Sequence, residues 1–183
     1  MYNVVRSKMN LRARLSGRIH MNDIREIVFL TQGNNKRKQE LYNLLYDADD
    51  KAAYQAAWVF THFSPLENEW LYDKQNELID EVLVCSHPGK RRLLLNLILS
   101  QPLANPPRTD FLDFCLERMM SKHELPGAQS LCMKLAYEMC RHIPELMQEL
   151  CIMLDMMEPD LLQASMRAVR KNVRKAMKTG KSL

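Results

Sequence analysis

The chain has 183 residues, 46% of them hydrophobic and 26% charged, with a net charge of +4. That is long enough to bury one core. With only 5 Gly it is poor in the turns that hairpin-rich β folds need, and no apolar run nears the roughly 20 residues of a membrane span. The charge is uneven: residues 1–20 carry +5, residues 159–183 carry +6, and the segment between them carries −7.

The first twenty residues hold Arg6, Lys8, Arg12, Arg14 and Arg18 with no acid, contain Gly17, and lack a sustained apolar face. They lack the apolar stretch of a secretory signal. Their Arg-rich character resembles a mitochondrial presequence, and a start at Met21 explains them equally well. The reading therefore leaves residues 1–20 outside the fold, as a basic extension that is disordered or upstream of the true start, and places a single domain over 21–183.

From Asn22, Ile24, Ile27 and Val28 recur at helical spacing up to Gly33, a C-terminal cap, and Leu41, Leu44 and Leu45 share a face of a second helix. Asp47-Ala48-Asp49-Asp50 offers capping oxygens to a third, Lys51 to about Phe63, whose Ala52, Ala53, Ala56 and Ala57 permit close approach of a neighbour. After Ser64-Pro65 the spacing predicts one long fourth helix, about Leu66 to Val84. It sets Trp70, Leu71, Leu78, Ile79 and Val82 inward and Glu67, Glu69, Asp73, Glu77, Asp80 and Glu81 outward. Pro88-Gly89 opens a fifth helix that is apolar nearly all round over Leu93–Leu99. Asn105-Pro106-Pro107 then breaks the chain before a sixth helix capped by Thr109. Pro126-Gly127 starts a seventh, Pro144 an eighth to about Met157, and Pro159 stands in the first turn of a ninth. On the ninth, Leu162, Met166, Val169, Val173 and Met177 form an apolar stripe, and Arg167, Arg170, Lys171, Arg174, Lys175 and Lys178 fill the remaining surface.

Pro88 and Pro126 lie 38 residues apart, and Pro65, Pro102 and Pro144 each mark the passage from one helix to the next. A period near 40 is that of paired-helix solenoids. With Ala52–Pro65, Pro88–Pro102 and Pro126–Pro144 as successive first helices, residues 22–178 resemble the HEAT and armadillo-like α-helical repeats. The resemblance implies an all-α, right-handed solenoid of about four helical pairs. It also implies a macromolecular-binding scaffold, with protein–protein interaction favoured.

No chemistry competes with that reading. Cys85, Cys115, Cys132, Cys140 and Cys151 form no CxxC pair and are odd in number, as expected of reduced core thiols in the cytoplasm. His20, His62, His87, His123 and His142 make no HExxH, and Pro88-Gly89-Lys90-Arg91-Arg92 is no phosphate loop. The expectation is therefore no catalytic residue, no metal and no cofactor, with the balance against an enzyme. Two candidate faces remain. The acidic one is Glu67, Glu69, Asp73, Glu77, Asp80 and Glu81, suited to a basic protein or peptide, including the basic helix of a second copy in self-association. The basic one is Arg167, Arg170, Lys171, Arg174, Lys175 and Lys178, which either caps the last repeat or binds nucleic acid. Nucleic-acid binding is the alternative function. The bacterial alkyl-purine DNA glycosylases use HEAT-like repeats, but their active residues map to no position here, and Trp58 and Trp70 lie in the most acidic region.

Overall fold

A computed structural model describes residues 10–183, and all regular structure in them is helical. The α-helices are α1 Leu11–Ser16, α2 Met21–Thr31, α3 Asn35–Asn43, α4 Asp50–Phe60, the single turn α5 Pro65–Asn68, α6 Gln75–Val84, α7 Pro88–Leu99, α8 Thr109–Met120, α9 Pro126–Cys140, α10 Pro144–Met156 and α11 Ala164–Thr179. Short 3₁₀ segments lie at Leu44–Tyr46, Glu69–Lys74 and Pro159–Leu161.

The helices α4, α7, α9 and α11 begin at Asp50, Pro88, Pro126 and Ala164, each 38 residues after the one before. They form one continuous row: α1 packs on α4, α4 on α7, α7 on α9 and α9 on α11. Of the second helices, α2 packs on α4, α6 on α7, α8 on α9, and α10 on both α9 and α11, while α6 and α8 touch each other. This is the layered arrangement of an α-solenoid. A first helix touched on both flanks and from beneath must be apolar most of the way round. Accordingly α7 buries Leu93, Leu94, Leu95, Leu97 and Ile98.

Local chemistry sets the helix starts. Pro88, Pro126 and Pro144 occupy first-turn positions, where a missing N–H costs no hydrogen bond. Asp49 caps α4 by accepting from the N–H groups of Lys51 and Ala52, and His87 caps α7 through Nδ1, 3.0 Å from the Lys90 nitrogen. Gly33, with φ 71°, turns the chain after α2 in the left-handed region that glycine enters without strain.

Four sequence expectations change. Residues 1–9 of the expected extension lie outside the described residues, but residues 10–20 are part of the fold. Leu11, Leu15 and Ile19 are buried, Arg12 pairs with Asp47 at 2.7 Å and Arg14 pairs with Asp23. The buried Gln55 amide of α4 donates to the carbonyls of Leu15 and, at 3.0 Å, Gly17. The leucine spacing in so short a segment carries too little periodicity to reveal this. The predicted fourth helix is broken: α5 is one turn, Glu69–Lys74 is a 3₁₀ segment, and only then does α6 begin. There Lys74 lies over the Trp70 ring, 4.4 Å from its centre, and Tyr42 meets that ring edge-on. Thr109 is the first residue of α8 rather than its cap, a place held by Arg108. Finally, Pro159 opens a separate 3₁₀ turn, and the extended Leu162 (φ −83°, ψ 144°) divides it from α11.

Candidate interaction surface

The six acids expected on one face have different fates. Glu67 pairs with Lys38 of α3 at 2.5 Å and accepts from the Gly33 N–H at 3.0 Å, which holds its carboxyl below the usual carboxylate range. Glu81 pairs with the buried Lys90 at 2.7 Å, and Asp80 with Arg108 at 2.7 Å. Glu77 accepts from the Tyr42 hydroxyl at 2.7 Å. Burial, with Tyr46 and Glu77 alongside, drives the Tyr42 pKa well up and keeps it a donor. These four acids fasten neighbouring elements, while Glu69 and Asp73 stand exposed.

Several basic residues are consumed in the same way. Lys38 and Lys90 are buried in the pairs just described, and Arg91 reaches Glu124 at 2.9 Å while donating to the Cys85 carbonyl at 2.6 Å. On α11, Arg170 donates to the Leu154 carbonyl at 2.8 Å and Arg174 pairs with Asp155. Both tie the helix to α10. Arg167, Lys171, Lys175 and Lys178 project into solvent. The stripe of α11 is committed to the core: Met166, Val173 and Ala176 are buried, and Val169 and Met177 pack against the same cluster.

The row of second helices carries acids that sequence reading did not single out. Asp110, Asp113 and Glu117 are exposed on α8, and Glu145, Glu149 and Asp155 on α10. Residues 143–163 hold five acids and no Lys or Arg. With Glu77 and Asp80 on α6, exposed acids recur on three successive second helices; Asp80 and Asp110 share Arg108 and Asp155 is held by Arg174, which leaves Glu77, Asp113, Glu117, Glu145 and Glu149 outside these ion pairs. The sequence signal was available as acids recurring on the polar side of each second helix, but an acid on a helix surface is ordinary until the repeats are stacked.

The same end of the molecule exposes apolar side chains. Ile152 is 56% exposed, Met156 68% and Leu161 79%. Beside them a groove of about 430 Å³ lies between the C-terminal turns of α8 and α10 and the N-terminal turns of α9 and α11. Methionines line it: Met120 and Met156 are accessible, and Met119, Met157 and Met166 are buried behind them in the core.

The histidines and cysteines have structural surroundings. His62 Nδ1 lies 2.9 Å from the Trp58 carbonyl at the end of α4, and His87 caps α7 while its ring packs on Tyr54, centroids 5.4 Å apart. Burial pushes the thiol of Cys140 up to about 12 and raises those of Cys85 and Cys115, which keeps them protonated. Among the described residues, no group of three or more His, Cys, Asp or Glu is placed to hold a metal ion, and no helix is long and apolar enough to cross a membrane.

Comparison with curated proteins and with solved structures finds no match to this chain. The family model of the HEAT repeat domain matches residues 11–177, from the first turn of α1 almost to the end of α11, and the chain belongs to that family.

Proposed function

We propose that the protein is a non-enzymatic scaffold that holds a basic protein or peptide segment against its row of second helices. The acidic surface over α6, α8 and α10 carries this reading. An excess of one sign steers and retains a partner of the other, and stacked helices present it over a length that a single helix lacks. Opposing the nucleic-acid reading, Trp70 is covered by Lys74, and Lys38, Lys90 and Arg91 are held in internal ion pairs. Favouring it are the four exposed cations of α11.

Immobilised protein, its Asp113→Lys/Glu117→Lys/Glu149→Lys variant and its Arg167→Glu/Lys171→Glu/Lys175→Glu variant would be compared for quantitative capture of cell proteins and for binding labelled duplex DNA across a salt series. A scaffold for basic segments loses its captured partners in the first variant and keeps them in the second. DNA binding that falls steeply with salt and vanishes in the second variant would replace this function with nucleic-acid recognition.

A further inference from the structure

We propose that the methionine-walled groove at the α8–α11 end is the docking site for an amphipathic helical segment of a partner protein, with apolar anchors on one face and Lys or Arg flanking them. The proposal rests on the scaffold reading and adds where the partner is gripped and by which side chains. Burying apolar side chains is the main local gain of folding, so Ile152, Met156 and Leu161, all more than half exposed within ten residues, mark a surface that a second body would cover. They adjoin a cleft whose size suits a few inserted side chains. Unbranched thioethers rearrange around anchors of differing shape, so a methionine wall suits a binding groove.

Charge selects the occupant. Glu149, Glu158 and Asp160 flank the apolar patch, and no Lys or Arg occurs over 143–163. Lys122 is at the groove wall, and Glu124 beside it is turned to Arg91. With Glu158 in the wall and Glu149 and Asp160 near it against Lys122, the surroundings are net acidic, which favours an apolar face with basic borders over nucleic acid. A second copy is a poor donor of such a face. Its basic amphipathic helix among the described residues, α11, already buries Met166, Val173 and Ala176 within its own fold and is held there by Arg170 and Arg174.

The test uses full-length protein carrying ¹³C-methyl methionine, whose 13 methionines report from the groove and from distant sites. The probe is a fluorescein-labelled peptide of about 16 residues, some four helical turns, with leucines along one face and lysines elsewhere. A twin peptide has glutamate for every lysine. The expected result is shifts concentrated on Met119, Met120, Met156, Met157 and Met166. Met156→Glu/Leu161→Glu should weaken binding about tenfold or more, as loss of central anchors does, and Met156→Leu should retain it. The two altered side chains are exposed, so the far methyl resonances report that the fold is intact.

Equal binding by the acidic twin overturns the charge assignment. Binding that leaves the groove methyls unshifted, or that survives Met156→Glu/Leu161→Glu, overturns the groove but leaves the scaffold function standing, since the peptide then sits elsewhere on the acidic row. Absence of binding at millimolar peptide overturns the docking proposal as well. The scaffold reading itself falls only by the capture comparison.

Discussion

Two lysines decide much at the scale of single residues. Lys38 and Lys90 are buried, and each is neutralised by one glutamate, Glu67 or Glu81. Breaking such a pair leaves a charge out of water without its partner, at a cost of about 3–5 kcal/mol, whereas replacing both partners with apolar groups of similar volume is often neutral. Glu81→Gln should therefore destabilise strongly in urea titration, and Lys90→Met/Glu81→Leu should recover most of the loss. Equal destabilisation by both would show that the pair itself holds α6 to α7. The two helix-opening glycines offer a second comparison. A Cβ on Gly127 would meet the flexible Arg92 side chain at 3.1 Å, but one on Gly89 would meet the Tyr54 and His87 rings, both at 3.1 Å. Alanine gains up to about 1 kcal/mol over glycine inside a helix. Gly127→Ala should accordingly raise Tm. Gly89→Ala should fail to, because His87 cannot move without losing its cap on Lys90.

At the scale of elements, α1 is the clearest case of structure from little sequence. Two of its leucines and Ile19 enter the core, and the Gln55 amide would lose both carbonyl partners if the segment were removed. A fully buried aliphatic side chain is worth about 1.5–3 kcal/mol, part of which offsets the entropy of ordering the segment. A chain beginning at Met21 should thus lose on the order of 4 kcal/mol in urea titration, by the same burial estimate. A loss near zero would mean that α1 rests on the solenoid without stabilising it. The α10–α11 connection is the second instructive element. An unbroken helix from Pro159 would satisfy local propensity, yet the extended Leu162 resets the direction so that α11 starts at Ala164, in register with the other first helices.

Across the whole molecule, carboxylates held in ion pairs and hydrogen bonds make stability depend on acid. The carboxyls of Asp47, Asp49, Glu67 and Asp110 are all lowered, those of Asp47, Glu67 and Asp110 chiefly by hydrogen bonds from Arg12, Lys38 and Arg108 respectively. A group with a folded pKa below its unfolded value contributes stability that is complete above the unfolded pKa and lost as pH falls toward the folded one. The urea midpoint should therefore hold from neutral pH down to about 5 and decline below it, in the window of unfolded carboxylates. Lys38→Met should flatten that decline by removing the partner that lowers Glu67. An unchanged slope would assign the acid sensitivity to the other three carboxyls.

Composition and periodicity determined the helical class, the paired organisation and the repeat length, because helix starts depend on local groups such as Pro88, Pro126 and the Asp49 cap. They also indicated that the cysteines fill the interior, as Cys85, Cys115, Cys132 and Cys140 do, while Cys151 is half-buried. The 3₁₀ break before α6 was not legible, since it answers the packing of Tyr42, Trp70 and Lys74 from separate parts of the chain. Nor was the fate of the charges. Glu67 and Glu69 are two residues apart and look alike in sequence, but one lies beside Lys38 and the other faces solvent. The tertiary structure alone decided this, because a salt bridge depends on distance in space and the partners of Glu67, Asp80 and Glu124 sit 28 to 33 residues away along the chain. The acidic row and the methionine groove were hidden for the same reason: stacking brings side chains from several repeats to one surface.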